Sequence, residues 1–147
     1  MKLRVLFLCA TNGVQSPMAE ALLTMLDSDH FEAASAGIQR AGMHPLAVEV
    51  MKDIGIDLRG KVTKAIQEVV DRRFDFVITL CDRARSECPN LQGAELVHWR
   101  LDDPSIAVDD AKRRRMFQSL RDQIVQRLRL FTLVQIRFAP QQGSSAA

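Results

Sequence analysis

The chain has 147 residues, 47% of them hydrophobic and 26% charged, with five prolines and three cysteines. That is one domain's worth of sequence, able to bury roughly 68–70% of its unfolded surface without a disulfide or metal staple, and it excludes wholesale disorder, collagen and coiled coil. Twenty basic against eighteen acidic side chains leave +2, with no Tyr and one Trp; this argues against a nucleic-acid partner, whether bound by a basic surface or by base stacking.

The first element is Leu3–Cys9, a short apolar run of the kind that forms a strand buried on both faces. Its apolar part, Val5 to Ala10, is shorter than the roughly 7–15 residues of a secretory h-region. Nothing approaches the ~18 apolar residues of a membrane span. An odd number of cysteines does not make a secreted disulfide framework. A cytoplasmic location, away from membranes, is the expectation.

A polar loop, Ala10–Ser16, leads into a helix from Pro17 to Leu26, with Ser16 as its cap and Pro17 at its first position. A second strand is expected at Phe31–Ser35, closed by Ala36 and Gly37. A helix follows over Pro45–Ile54, its stripe Leu46, Val50, Met51 and Ile54 ended by Gly55. Thr63 is placed to cap a short helix reaching Val70. Phe74–Leu80 reads as the clearest strand, and after a loop Glu95–Trp99 reads as a fourth. Met116, Leu120, Ile124, Leu128 and Phe131 mark a long amphipathic helix from Asp109 to about Phe131. Residues 139–147 read as a frayed tail after a domain over 1–138. Strands alternating with helices predict a single α/β domain: a four-stranded parallel sheet with helices on both faces.

Charge is uneven: residues 112–137 hold eight Lys or Arg against one Asp. For Lys112–Arg115 a solvated helix face is favoured over an anion patch. No cluster of residues has metal-ligand spacing.

Strand, turn and helix from Leu3 to Leu26 put Cys9–Ser16 at the carboxyl end of a strand, where open α/β sheets bind ligands. Free N–H groups of the helix start make an anion site there, and a Cys in it gains thiolate character. Buried small hydrophobe and nucleophile are the two readings of Cys9; the flanking Asn12, Ser16 and Pro17 favour the nucleophile. Val5-Leu-Phe-Leu-Cys-Ala-Thr-Asn-Gly-Val-Gln-Ser-Pro-Met-Ala-Glu-Ala21 resembles the active-site loop of the low-molecular-weight protein tyrosine phosphatase superfamily. Ser35-Ala-Gly37, His44-Pro45 and Asp102-Asp-Pro104 agree with it. Val77-Ile-Thr-Leu-Cys81, Cys88-Pro89 and His98-Trp99 resemble the thioredoxin-coupled arsenate reductase branch.

The resemblance implies a tetrahedral oxyanion substrate (arsenate, phosphate or sulfate) held by the loop Ala10, Thr11, Asn12, Gly13, Val14 and Gln15. It implies Cys9 as nucleophile, Ser16 hydrogen-bonded to its thiolate, and Asp103 as general acid. Cys81 and Cys88 would be the redox pair, on a flexible or partly unwound segment, with thioredoxin or another dithiol as reductant. It implies no cofactor, and a monomer is expected. A silent oxyanion- or partner-binding relative and a phosphotyrosine phosphatase are the alternatives.

One position departs. The family pattern is C-x5-R, and the sixth residue after Cys9 is Gln15. An amide cannot reproduce a fork of two charge-assisted bonds, a loss of about 3–6 kcal/mol. Impaired activity follows, unless another cation (Lys64, Arg40, Arg83 or Arg85) takes its place. Some reductases of this branch bind potassium near Asn12, Glu20 and Ser35; Lys64 stands where they have an Asp, so no bound metal is expected.

Overall fold

The computed structural model describes residues 1–106 and 109–138, the side chain of residue 138 excepted. The expected tail lies outside the described residues. Strands β1 (Leu3–Cys9), β2 (Phe31–Gly37), β3 (Phe76–Thr79) and β4 (Glu95–His98) form one parallel sheet in the order β2-β1-β3-β4. Helices are α1 (Gln15–Asp27), α2 (Pro45–Lys52), α3 (Asp82–Glu87) and α4 (Asp110–Phe138), with 3-10 turns at Ile66–Glu68 and Pro104–Ile106.

β1 is central, and its alternation divides the core. Val5, Phe7 and Cys9 face a cluster with Met18, Leu22, Val50, Met51, Phe117, Ile124 and Leu128 of α1, α2 and α4. Leu6 and Leu8 join a second cluster with Ile66 and Val69 of the first 3-10 turn and its C-cap, Val77 of β3 and Ala84 of α3. Both faces of β1 are therefore dry, which is why its sequence is an unbroken apolar run. The strand order reverses between β1 and β3, so the carboxyl end of β1 opens at the sheet's switch point, where a ligand crevice forms.

Several local expectations change. α1 starts at Gln15 with Val14 as N-cap, and no side chain caps it; Ser16 sits inside the helix because its hydroxyl bonds elsewhere. Thr63 caps nothing: the helix expected there is a single 3-10 turn entered from Ala65. The core stripe of α4 begins at Phe117 rather than Met116, and that of α2 uses Ala47, Val50 and Met51 while Ile54 is exposed. The loop expected after β3 is helix α3. Within the basic run, Arg114 pairs with Glu49 at 3.2 Å and Asp53 at 3.0 Å, tying α4 to α2.

Candidate active site

The loop from Cys9 to Gln15 is shaped by where its carbonyls go. The oxygens of Cys9, Ala10, Thr11 and Gly13 accept from the N–H groups of Ile38, Gln39, Ala41 and His44 at 2.9–3.1 Å. No peptide among the described residues is cis, so each N–H opposes the carbonyl before it across its own plane. With those carbonyls drawn outward, the amides of Ala10, Thr11, Asn12 and Val14 are turned the other way, into a concave nest. Asn12 N donates to Cys9 Sγ at 3.3 Å, which places the sulfur in that nest. The first bond inside α1 runs from Met18 N to Val14 O, so the N–H groups of Gln15 and Ser16 have no intrahelical acceptor. Backbone amide donors thus ring a buried sulfur.

Asn12 holds the loop in shape. It adopts φ 60°, the left-handed region an asparagine tolerates. Its Nδ2 donates to Ser16 Oγ at 2.8 Å and Ser35 Oγ at 3.0 Å, and its Oδ1 accepts from Lys64 N at 2.8 Å. Both amide hydrogens of this buried side chain are thereby used, and its oxygen has a donor. Gly37 makes the approach possible, since a Cβ there would lie 2.6 Å from Asn12 N. Glu20, behind the loop, meets Lys61 Nζ at 2.6 Å. The ammonium at this spot is therefore that of Lys61, and Lys64 contributes its backbone instead.

Ser16 Oγ lies 2.9 Å from Cys9 Sγ and 3.3 Å from Ala36 O. It already accepts from Asn12, and it has one hydrogen to give. Against a thiol that hydrogen goes to Ala36 O; against a thiolate it turns to the sulfur. Ionised Cys9 gains a bond in place.

Gln15 differs from the expected oxyanion ligand. Its Nε2 donates to Leu101 O at 3.2 Å and Asp102 O at 3.1 Å, using both amide hydrogens. The side chain latches the 101–103 loop to α1 and offers nothing to the nest. Asp103 is exposed on that loop, its Oδ1 accepting from Ser105 N at 2.9 Å and Ser105 Oγ at 2.6 Å.

Cys81 N-caps α3, accepting from Ala84 N at 3.4 Å, and Cys88 is its C-cap. Burial pushes the Cys81 thiol up, and neighbouring Cys9 pushes it further, while amides including that of Ala10 oppose the rise. The two sulfurs therefore share one locale. Burial also pushes Cys88 up. Seven helical rises put its α-carbon about 10 Å from that of Cys81, beyond the roughly 4.4–6.8 Å of a disulfide, and all three cysteines are free. His98 Nδ1 and Thr79 Oγ1, 2.7 Å apart, join β4 to β3 below Cys81. Among the described residues no group of three or more His, Cys, Asp or Glu is placed to hold a metal ion, and no helix is long and apolar enough to cross a membrane.

Sequence reading missed three participants. Lys61 had no signal, because its partner is 41 positions away. The Gln15 latch donates to main-chain oxygens, and carbonyls have no sequence signature. Gly37 was visible as a strand end, but its close approach to residue 12 was not.

The nest, the serine and the strand order define a phosphatase-type anion loop on a doubly wound sheet. The family model of low molecular weight phosphotyrosine protein phosphatase matches residues 4–137, and the chain belongs to that family. It is similar to the arsenate reductase of Halalkalibacterium halodurans, with 36% identity over 129 residues, 86% of this chain and 93% of that protein. A solved arsenate reductase in its phosphate-binding state superposes with a TM-score of 0.73 and 27% identity, covering 91% of this chain and 98% of the other. The thioredoxin-dependent arsenate reductase of Corynebacterium glutamicum superposes with a TM-score of 0.71 and 29% identity, covering 92% of this chain and 63% of that one.

Proposed function

We propose that this protein is an arsenate reductase working through Cys9, Cys81 and Cys88, at a rate held down by Gln15. The observation that carries the reading is the inward-facing nest of amides around Cys9 Sγ with Cys81 beside it. Arsenate sits in the nest, and Cys9 thiolate, stabilised by Ser16 and Asn12 N–H, attacks arsenic. Asp103, its loop pinned by Gln15, protonates the departing oxygen, which leaves as water. Cys81 then attacks Cys9 Sγ. The S–As bond breaks with its electron pair on arsenic, As(V) becomes As(III), and arsenite departs. Cys88 attacks Cys81 and frees Cys9, leaving a Cys81–Cys88 disulfide for an external dithiol, with thioredoxin as the proposed donor. Such a cycle fits a reducing compartment, the cytoplasm.

A phosphatase needs Cys9 and Asp103 alone, so a second and third thiol at α3 favour the reductase. The silent-relative reading draws support from Gln15, whose amide is committed elsewhere. Counting free thiols separates them. Reduced protein incubated with arsenate falls from three thiols to one, with the bridge mapped to Cys81–Cys88. Retention of all three is the result expected of a silent relative, and Cys9→Ser abolishes the loss.

A further inference from the structure

Among the described residues no cationic side chain is hydrogen-bonded into the Cys9–Ser16 loop. Gln15 is neutral and its donors are used by Leu101 O and Asp102 O. Lys61 is held by Glu20, Lys64 reaches the loop through its backbone, and Arg40 lies 3.5 Å from Glu68. We propose that Arg83 supplies the missing charge to an oxyanion in the Cys9 loop, and that in doing so it lets go of Glu87 and loosens α3. The proposal rests on the anion-loop reading above and adds a ligand to it.

Arg83 stands in the first turn of α3, its backbone N–H facing the Cys81 sulfur. Its Nη2 donates to Gln39 Oε1 at 3.1 Å. The N–H of that same Gln39 holds Ala10 O, the first carbonyl of the loop after Cys9. The guanidinium is thus tethered at the rim of the nest on the side where Cys81 lies. Its Nε donates to Glu87 Oε2 at 2.8 Å, in an i,i+4 pair with 42% and 49% of the side chains exposed. So exposed a pair holds its arginine weakly. An oxyanion already bonded by backbone amides is the stronger partner for a planar, permanently charged fork.

The exchange has a mechanical consequence. The Arg83–Glu87 pair spans nearly the whole of the six-residue α3, whose ends are Cys81 and Cys88. Once Arg83 turns to the anion, that clasp opens, and the segment that must unwind to bring the two sulfurs together has lost its one intrahelical ion pair among the described residues. Occupancy of the nest and readiness of the redox segment become linked.

Inorganic phosphate, which the thiols do not reduce, is the probe for the full-length reduced protein. Arg83→Gln is expected to weaken phosphate roughly ten-fold, the loss of one charge-assisted partner. Glu87→Gln is expected to tighten it about two- to three-fold by freeing Arg83, a gain that no purely structural role for the pair would give. Arg40→Gln leaves binding unchanged. Iodoacetamide alkylates Cys88 faster with phosphate present in the wild type, and not in Arg83→Gln. Phosphate affinity indifferent to Arg83→Gln, or a loss carried by Arg40→Gln instead, overturns the assignment while leaving the anion loop standing. A wild-type protein that does not bind phosphate overturns both.

Discussion

The Cys9–Ser16 loop and the Cys81–Cys88 segment hold the same kind of reactive atom in opposite ways. In the loop every carbonyl at positions 9, 10, 11 and 13 is tied to the 38–44 segment, and Asn12 braces the turn from three sides. α3 is a short helix, with one sulfur at each end and one exposed ion pair along it. The first is preorganised for charge that develops at a fixed place. The second has to come apart for its sulfurs to meet. In the proposed cycle, rigidity lies where the oxyanion would bind and looseness where electrons would leave.

Three changes sharpen or break that contrast. The largest effect is expected from Gln15→Arg, which puts a permanent charge beside the rigid nest. Arsenate-dependent thiol loss should rise about a hundred-fold, and further in the Arg83→Gln background, as measured by single-turnover thiol counting. An unchanged rate would show that the nest is not the limiting part. Next is Asn12→Ala, which leaves Ser16, Ser35 and Lys64 N without their buried partner. It should cost about 2–4 kcal/mol in denaturant unfolding, whereas Arg83→Gln on the loose segment should be nearly neutral. The smallest is a pH dependence. Cys81 and Cys88 are both raised above the ordinary thiol value of 9.0 by burial. The folded form therefore keeps its protons where the unfolded chain loses them, and stability falls as pH rises through about 9. The Cys81→Ser, Cys88→Ser double variant should flatten that slope in thermal melts recorded across the range.

Much of the contrast is readable in the sequence because its causes are local. β1 is an unbroken apolar run since both of its faces are covered, and Cys9, Asn12 and Ser16 sit together within one turn. The departure at position 15 is equally plain. What Gln15 does instead is not, because its acceptors are main-chain oxygens 86 and 87 positions away. The polar stretch 82–87 reads as a loop, although the Arg83–Glu87 spacing is a helical one. Ser16 looks like a cap because a hydroxyl before proline usually is; here the sulfur, Asn12 and Ala36 claim it first. Phe117 displaces Met116 because a stripe at three- and four-residue intervals leaves its starting phase open by one.

β1 and β3 are neighbours in register, with Leu8 opposite Thr79. The ladder continues with Leu80 N donating to Leu8 O, so Cys9 ends β1 beside Leu80 and Cys81 follows one residue further along the neighbouring chain. In the proposed cycle the closeness of these two sulfurs is thus set by the pairing of β1 with β3. Surface loops around the crevice can drift in composition without altering the spacing of the two strand ends.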